Sequence, residues 1–215
     1  MRRDGWLIVA LVVGGCASPE EERLRFYNQQ ADHLFQMGDY RSAGEHYQAA
    51  LSLRPENPEL LYHFGQCHDY QGDVARAEHY YRECLQRAPK HAACRRSLSA
   101  LLVRTNRWSE ASALVADWMQ QDPKAADAYT EDGWLWLQRG DVPKAQARFQ
   151  QALGFDPHNP RALVELARLY EKMHRPDRAL VLYERCLLKN PQQPDIEKRI
   201  QQLQAQGVNY PIPEH

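Results

Sequence analysis

The chain has 215 residues, with 27 basic and 28 acidic side chains and a formal net charge of −1. Loss of the first 15 residues as a leader would remove Arg2, Arg3 and Asp4 and change this only to −2 (25 basic against 27 acidic). A charge so close to zero argues against a general nucleic-acid binder, which needs a strongly basic face. We therefore expect no nucleic-acid partner.

The N-terminal residues have the features of a secretion leader. Arg2 and Arg3 give a positive start, and residues 6–13 form an apolar run. This run is far shorter than the ~20 residues that a helix needs to span a bilayer. We therefore expect a cleaved signal peptide over residues 1–15 rather than a transmembrane segment.

The residues around Cys16 resemble the bacterial lipobox, in which the leader is cut before a cysteine whose sulfur then carries a diacylglycerol. Val13 and Gly15 fit this pattern. The resemblance implies a lipid anchor on Cys16, with residues 16–23 as the lipidated cysteine and a short linker. Because Ala17 rather than aspartate follows, it also implies transport to the outer membrane in a Gram-negative cell. The alternative is an ordinary signal peptide that contains a cysteine.

The rest of the chain repeats with a period of 34 residues. Prolines recur at this spacing, and each is preceded at fixed distances by an aromatic or valine residue and by two small residues. A fixed period of this length predicts a stacked array of similar units. The prolines are Pro55, Pro89, Pro123, Pro157 and Pro191; eight residues earlier stand Tyr47, Tyr81, Val115, Phe149 and Tyr183; twelve earlier stand Ala43, Ala77, Ala111, Ala145 and Ala179; twenty-four earlier stand Ala31, Gly65, Ser99, Gly133 and Ala167.

The second unit, residues 58–91, illustrates the expected packing. Gly72 tolerates a left-handed turn and separates two amphipathic helical stretches. The small residues Gly65 and Ala77 allow two antiparallel helices to approach closely, and Tyr81 fills the space beside them. Because one such hairpin cannot bury its own apolar face, neighbouring units must stack on it.

This order of small residues, aromatic residue and proline resembles the tetratricopeptide repeat (TPR). The resemblance covers residues 24–193 and implies an all-α fold, a right-handed superhelical α-solenoid of five TPR helix hairpins. A narrow apolar stripe of Ile196, Ile200 and Leu203 predicts a capping helix over residues 194–206. The prolines of residues 207–215 predict a non-helical tail, either an extended strap or a disordered end. The five units are 24–57, 58–91, 92–125, 126–159 and 160–193.

Two units depart from the pattern. In the third, Asn106-Arg107 replaces a Gly-Asp turn, and Val115 and Trp118 replace an aromatic and a small residue. We interpret the last pair as an exchange of volume within one layer that changes the local curvature. In the fourth, Asp132 takes an apolar position, and we expect it to be partly solvated or bonded because a lone buried carboxylate is costly.

Four cysteines follow residue 16, in a chain expected to meet an oxidising compartment. Packing explains those at the small inward positions of second helices. A disulfide between Cys84 and Cys94 is an open alternative. A zinc site formed by Cys67, Cys84 and His63 or His68 is another, although the tight paired spacing of structural zinc sites is absent.

The sequence contains no motif of an enzyme. It lacks a glycine-rich phosphate loop, a nucleophile elbow and a paired-histidine metal motif. Its nine histidines are scattered, and an array of short helices offers no deep pocket for chemistry. We therefore expect no catalytic residues, no cofactor and no metal.

The TPR resemblance implies that the first helix of each unit lines a concave groove for a protein or peptide segment. The contact positions are acidic and aromatic in the first two units, and basic with one tryptophan in the last three. We therefore expect an acidic partner segment over the last three units, and the alternative is a solvated helix face. The predicted partner-binding residues are Phe35, Tyr62, Tyr70, Arg96, Arg104, Trp134, Arg161, Arg168 and Lys172.

The leading hypothesis is a membrane-anchored TPR scaffold of the cell envelope, facing the periplasm from the outer membrane if the host is Gram-negative. Its architecture resembles that of the lipoproteins that assist secretin assembly in type IV pili, and of adaptor lipoproteins for peptidoglycan enzymes. The alternative from a different class is a soluble exported chaperone that holds client segments and needs no lipid.

Overall fold

The computed structural model describes residues 18–208, and this part of the chain contains eleven α-helices and no β-strand. The predicted all-α TPR fold is confirmed. Residues 1–17 and 209–215 lie outside the described residues, and with them the predicted signal peptide, the predicted lipid anchor on Cys16 and most of the predicted tail. Between residues 18 and 208, no helix is both long and apolar enough to cross a membrane. The helices are α1 (Pro19–Gln36), α2 (Tyr40–Leu53), α3 (Pro58–Tyr70), α4 (Val74–Arg87), α5 (Ala92–Arg104), α6 (Trp108–Gln121), α7 (Ala126–Gln138), α8 (Val142–Phe155), α9 (Pro160–Lys172), α10 (Pro176–Lys189) and α11 (Pro194–Ala205).

Above the level of the five repeats, the chain divides into two compact parts, which we call unit 1 (residues 1–87) and unit 2 (residues 88–215). Unit 1 contains the hairpins α1–α2 and α3–α4, whereas unit 2 contains α5–α6, α7–α8 and α9–α10, followed by α11. We call the first helix of each hairpin its inner helix and the second its outer helix. Within unit 2, the inner helix α7 contacts both of the other inner helices, α5 and α9. The face that these three helices present is called the inner face of unit 2.

Polar caps and left-handed turns set the helix boundaries. The Asn57 side chain accepts hydrogen bonds from the first backbone N–H groups of α3, and Asp39 caps α2 in the same way. Gly72 has a φ of 79°, which a glycine adopts without steric cost. Asn106 and His174 adopt the same left-handed conformation at the equivalent turns of unit 2, with φ of 62° and 57°. The departure from Gly-Asp in the third repeat therefore changes the residue and keeps the turn.

The aromatic residue of the outer helix fills the space above a small residue of the inner helix. A Cβ atom added to Gly65 would lie 2.9 Å from the Tyr81 ring, and one added to Gly133 would lie 2.7 Å from the Phe149 ring. Both rings are almost fully buried. A larger side chain at either glycine would therefore push the two helices apart.

The first helix starts earlier than predicted. Ser18 accepts a hydrogen bond from the backbone N–H of Glu21, and the Glu21 carboxylate accepts one from the backbone N–H of Ser18. This capping box begins α1 at Pro19. Residues 19–23, which we expected to be linker, are therefore helical, and only two residues separate Cys16 from the helix.

The departures in the third and fourth repeats are accommodated in the core. Val115 and Trp118 are both buried on α6, in agreement with an exchange of volume. Asp132 lies 2.7 Å from Arg148 and keeps 19 % of its side chain exposed. The expectation that this carboxylate is bonded and partly solvated is confirmed.

Helix α11 closes unit 2. Ile196, Ile200 and Leu203 are buried together with residues of α9 and α10 in one apolar cluster. The rest of the helix is mostly exposed. This division between one apolar and one solvated face is what the end of a repeat array requires.

The cysteines after residue 16 are all free and buried, so the structure contains no Cys84–Cys94 disulfide. Burial raises the pKa of Cys67 to about 12, which keeps that thiol protonated and unreactive. Within residues 18–208, no three His, Cys, Asp or Glu side chains are grouped so that they could hold a metal ion. The zinc alternative thus finds no support.

Candidate protein-binding surface

An aromatic cluster lies at one end of the hairpins of unit 1. The Tyr70 ring stacks on the Tyr40 ring with 4.5 Å between centroids, and the Phe35 ring meets Tyr70 edge-on at 5.5 Å. Tyr70 is 60 % exposed, although such rings are usually buried. Two predicted contact residues, Phe35 and Tyr70, are thus brought together. Tyr40 was missed, and its only signal is its place directly after the Gly38-Asp39 turn.

The third predicted residue of unit 1, Tyr62, is half-buried among other rings. It lies 5.1 Å from the His63 ring and 6.2 Å from the Tyr81 ring, measured between centroids. Tyr81 is the core aromatic of that hairpin. Tyr62 therefore links the surface of the inner helix α3 to the core of its own hairpin.

Tyrosine hydroxyl groups hold the acidic residues of three inner helices. In repeats one, two and five, the core tyrosine of the outer helix donates a hydrogen bond to a carboxylate of its own inner helix. Repeats three and four have Val115 and Phe149 at this position, and neither can donate. Burial raises the pKa of Tyr47 and of Tyr183, so both hydroxyl groups keep their protons. The pairs are Tyr47–Asp32 (2.5 Å), Tyr81–Asp69 (3.3 Å) and Tyr183–Glu171 (2.8 Å).

Three predicted contact residues of unit 2 line one cleft on its inner face. Trp134 projects from α7, and Arg168 and Lys172 project from α9. The cleft has a volume of about 420 Å³, and we call it the inner-face cleft. Its other lining residues are Leu137, Gln138, Glu165, Leu169 and Glu171.

The arginines of the inner face are largely paired with acidic neighbours. Arg96, Arg161 and Arg168 form ion pairs with residues of the inner helices, and Arg104 lies exposed at the end of α5. The inner face of unit 2 is therefore a surface of mixed charge, and not the basic wall that its residue types predicted. The pairs are Arg96–Asp127 (3.9 Å), Arg161–Glu131 and Arg168–Glu165 (3.7 Å).

Glu131 is a buried carboxylate on the inner helix α7. It is 1 % exposed on α7 and accepts a hydrogen bond from Arg161 of α9. Burial raises the pKa of this carboxyl, whereas Arg161 and the Ser99 hydroxyl act to lower it. The equivalent positions in other repeats hold polar residues, so the residue type alone gave no sign of burial.

The last inner helix is tied to the capping helix. Arg199 of α11 donates two hydrogen bonds to the Glu171 carboxylate, one of them from Nε at 3.1 Å. Burial alone would raise the pKa of Glu171, but hydrogen bonds from Arg199 and Tyr183 outweigh it and lower the pKa. The Glu171 carboxylate therefore joins the last inner helix α9 to the capping helix α11.

Comparison with known proteins agrees with this architecture. Two family profiles, both described as tetratricopeptide repeat, match residues 70–130 and 137–207, and residues 28–92 and 101–160. Cellulose synthase operon protein C of Xanthomonas axonopodis pv. citri (strain 306) is 28 % identical over 184 residues. That match covers 81 % of this chain but 12 % of the relative, so the chain spans about an eighth of its relative's length.

Two solved structures resemble the fold. TTC0263, a thermophilic TPR protein of Thermus thermophilus, has a TM-score of 0.67 and 25 % identity, covering 86 % of this chain and 99 % of that protein. PilW, described as a widely conserved type IV pilus biogenesis factor, has a TM-score of 0.56 and 23 % identity, covering 85 % and 88 %. Proteins of this fold are generally scaffolds without enzymatic activity, and they bind protein or peptide partners. On the profile matches, which span more than half of its length, the chain belongs to the tetratricopeptide repeat family.

Proposed function

We propose that the protein is a lipid-anchored scaffold of the bacterial cell envelope, which holds a segment of a partner protein on the inner face of unit 2. The observation that carries this proposal is the inner-face cleft, where Trp134, Arg168 and Lys172 come together. Tryptophan and arginine are the residue types most often found as binding hot spots, because each combines a large contact area with a directed polar group.

The lining of the cleft defines the kind of segment that fits. Trp134 and Leu137 offer an apolar floor on α7. Lys172 is exposed and forms no ion pair within residues 18–208, so its ammonium group is available to a partner. A helical or extended segment with an apolar side chain followed by an acidic one would satisfy both groups.

The acidic residues of the cleft do not oppose such a partner strongly. The Glu171 carboxylate already accepts hydrogen bonds from Arg199 and Tyr183. Glu165 is half-buried and lies 3.7 Å from Arg168 on the same helix, but the Arg168 side chain is itself exposed and can also contact a carboxylate of the partner. An incoming acidic group would thus meet Lys172 first and could then engage Arg168.

The early start of α1 supports attachment close to a membrane. If Cys16 carries a lipid, only two residues precede the first helix. A link of three residues reaches only about 10 Å when fully extended. Unit 1 would then lie directly against the lipid surface, and a partner bound to the scaffold would be held near the membrane.

We assign the scaffold to the assembly of an envelope machine, with secretin assembly in type IV pili as the specific case. The lipobox-like residues before Cys16 and the likeness in fold to PilW support this assignment. A soluble exported chaperone, or an adaptor for envelope enzymes, is the alternative, and it differs from the proposal in needing no lipid.

The binding surface is tested with two variants that carry equivalent changes. Trp134→Ala with Lys172→Glu alters the inner-face cleft. Leu188→Ala with Lys189→Glu makes the same kind of change on the outer helix α10, where Leu188 is 81 % exposed. We expect the first variant to lose its partner in quantitative co-purification from envelope extract, and the second to keep it. Equal loss in both variants would place the partner elsewhere.

The anchor is tested separately. Cys16→Ser should move the protein from the membrane fraction to the soluble fraction without changing its helical circular dichroism. A variant that stays in the membrane fraction at high salt contradicts the lipid anchor. A wild-type protein that is soluble and still binds its partner would favour the chaperone alternative.

A further inference from the structure

Arg95 stands at a position of the third repeat that is apolar in the other four. It lies one turn into α5, and only 4 % of the residue is exposed. Position 118, on α6, is equally unusual, because Trp118 replaces a small residue. One repeat thus differs from the rest at two core positions. The residues equivalent to Arg95 are Tyr27, Leu61, Tyr129 and Leu163, and those equivalent to Trp118 are Ala50, Cys84, Ala152 and Cys186.

Arg95 and Trp118 form one site with a fixed geometry. The Arg95 guanidinium carbon lies 5.3 Å from the centroid of the Trp118 ring, within the range of a cation–π contact. Its Nε donates to the backbone carbonyl of Pro89 at 2.8 Å, and Nη2 donates to the Gln121 side-chain oxygen at 2.5 Å. The guanidinium is therefore held in a fixed orientation from three sides.

Arg95 forms no ion pair with any residue between 18 and 208. Both of its hydrogen-bond acceptors are neutral, and its buried Nη1 atom has no hydrogen-bond partner. The nearby Asp117 carboxylate, which accepts a hydrogen bond from Gln121 at 2.8 Å, favours the charge of Arg95 electrostatically without bonding to it. A buried charge without a paired partner is costly, and an arginine fork is shaped for a carboxylate or a phosphate.

Arg95 borders a cleft of about 350 Å³, which we call the turn cleft. It lies where the turns before α5, α7 and α9 meet the ends of α6 and α8, away from the lining of the inner-face cleft. Its volume falls within the range of about 300 to 1,000 Å³ that is typical of ligand sites. The lining residues besides Arg95 and Trp118 include Lys90 and Lys124.

The turn cleft is lined by three basic side chains, Arg95, Lys90 and Lys124, and by three aspartates. Its three carboxylates already accept hydrogen bonds from the protein. Lys90 and Lys124 are exposed and form no ion pair within the described part of the chain. The carboxylate bonds are Asp122 from the backbone N–H of Lys124 (3.2 Å), Asp127 from the Asn159 amide (3.0 Å) and Asp156 from the backbone N–H of His158 (3.0 Å).

We infer that the turn cleft is a second binding site, which takes a carboxylate of an acidic peptide segment between Arg95, Lys90 and Lys124. A carboxylate carries one charge and can accept a hydrogen bond from Nη1, the one nitrogen of the Arg95 guanidinium that has no partner among the described residues. A phosphate group carries nearly two charges at neutral pH, and the three aspartates of the lining would repel it more strongly. The site goes beyond the proposed function because it needs neither Trp134 nor Lys172.

The test uses the full chain and a defined probe, an N-acetylated hexaglutamate peptide, with a hexaglutamine peptide as its uncharged match. Isothermal titration calorimetry at low salt should detect hexaglutamate and not hexaglutamine. Lys90→Gln with Lys124→Gln should weaken hexaglutamate binding by about tenfold, because two exposed cations near the ligand are lost. Lys189→Gln with Lys198→Gln makes the same change of net charge elsewhere in unit 2 and should leave the affinity within about twofold.

A third variant tests the guanidinium itself. Arg95→Lys keeps the charge but removes the planar fork, and we expect weaker hexaglutamate binding in a protein whose circular dichroism is unchanged. If this variant fails to fold, the paired lysine variants still decide the matter. Added to Trp134→Ala with Lys172→Glu, the changes Lys90→Gln and Lys124→Gln should still weaken hexaglutamate binding by about tenfold, which separates this site from the inner-face cleft.

Several results would overturn the inference. They are the absence of hexaglutamate binding, equal binding of hexaglutamine, or equal weakening by both pairs of lysine substitutions. Competition by inorganic phosphate at lower concentration than by acetate would also overturn it, since the site would then prefer a phosphate group.

Discussion

The two units use the same repeat but hold their acidic inner-helix residues in different ways. In unit 1, Asp32 and Asp69 are each bonded by a tyrosine of their own hairpin. In unit 2, Glu131 is bonded by an arginine of the following inner helix, and Glu171 by an arginine of the capping helix as well as by its own tyrosine. The tyrosine–carboxylate bonds of unit 1 therefore lie within single hairpins, whereas the arginine–carboxylate bonds of unit 2 join one repeat to the next or to the capping helix.

This difference shows which positions define the fold and which are open to variation. The small and aromatic residues pack in the same way in both units, as Gly65 with Tyr81 and Gly133 with Phe149 show. The inner-face positions change from aromatic and acidic to mixed charge without changing the hairpin. Binding specificity can therefore vary on the inner face while the scaffold stays the same.

The largest effects should come from the shared positions and should be similar in the two units. We expect Tyr81→Ala and Phe149→Ala each to lower the free energy of unfolding by ~3–5 kcal/mol, because each removes a buried aromatic ring. Urea denaturation followed by circular dichroism measures this loss. Leu188→Ala, at an 81 % exposed position, should change it by less than about 0.5 kcal/mol. A loss confined to one unit would mean that the two units do not share one packing scheme.

The stability that the arginine–carboxylate pairs of unit 2 contribute should depend on pH. The pKa of Glu171 is lowered, so its ionised pair adds stability above pH 4.5, and this stability is lost as the pH falls through the folded-state pKa. Glu171→Gln should therefore cost about 1–2 kcal/mol at pH 7, the size of a partly exposed hydrogen bond to a charged group. The cost should shrink in urea denaturation at pH 4.

The stability contributed by Glu131 should depend on pH with the opposite sign. Burial raises its pKa above 4.5, so the protonated carboxyl contributes its full stability below pH 4.5, and this contribution is lost as the pH rises through the folded-state pKa. Relative to Glu131→Gln, the wild type should become less stable between pH 4 and pH 7. If the costs of Glu131→Gln and Glu171→Gln changed with pH in the same direction, the predicted contrast between the two carboxylates would be contradicted.

The turns give the smallest effect. The glycine turns of unit 1 are unstrained, but His174 in unit 2 has a φ of 57°, which is unfavourable for a residue with a Cβ atom. His174→Gly should raise the free energy of unfolding by about 0.5–1 kcal/mol. Asn106→Gly should raise the free energy of unfolding by less, because it also removes the hydrogen bond that the Asn106 side chain accepts from Trp108 at 3.0 Å. Thermal denaturation of both variants provides the comparison, and a larger gain at Asn106 would be the contrary result.

The fold followed from the sequence because the repeat depends on local features. A period of 34 residues, the capping residues and the turn glycines all act within one hairpin, and each occurs several times. The start of α1 was missed because its capping box, Ser18 and Glu21, lies before the first repeated position. A search for capping residues upstream of the repeat would have found it.

The binding surface could be predicted only in part from the sequence, because its geometry depends on contacts between repeats. Trp134, Arg168 and Lys172 were predicted and share a cleft. The pairing of Arg161 with Glu131 could not be read from spacing alone, since a polar position does not reveal what the next helix presents. Arg95 was detectable, because it is the one charged residue among five equivalent positions.

Site-specific photo-crosslinking tests the central claim, that the inner face of unit 2 is the partner-binding surface. A photoreactive phenylalanine analogue would replace either Gln138, which lines the inner-face cleft, or Leu188 on the outer helix α10. After irradiation of intact cells, mass spectrometry would identify the crosslinked partner and the crosslinked segment. We predict one discrete partner segment, with apolar and acidic residues, crosslinked at position 138 and not at position 188. Crosslinking of that partner at position 188 alone, or equally at both positions, would contradict the account.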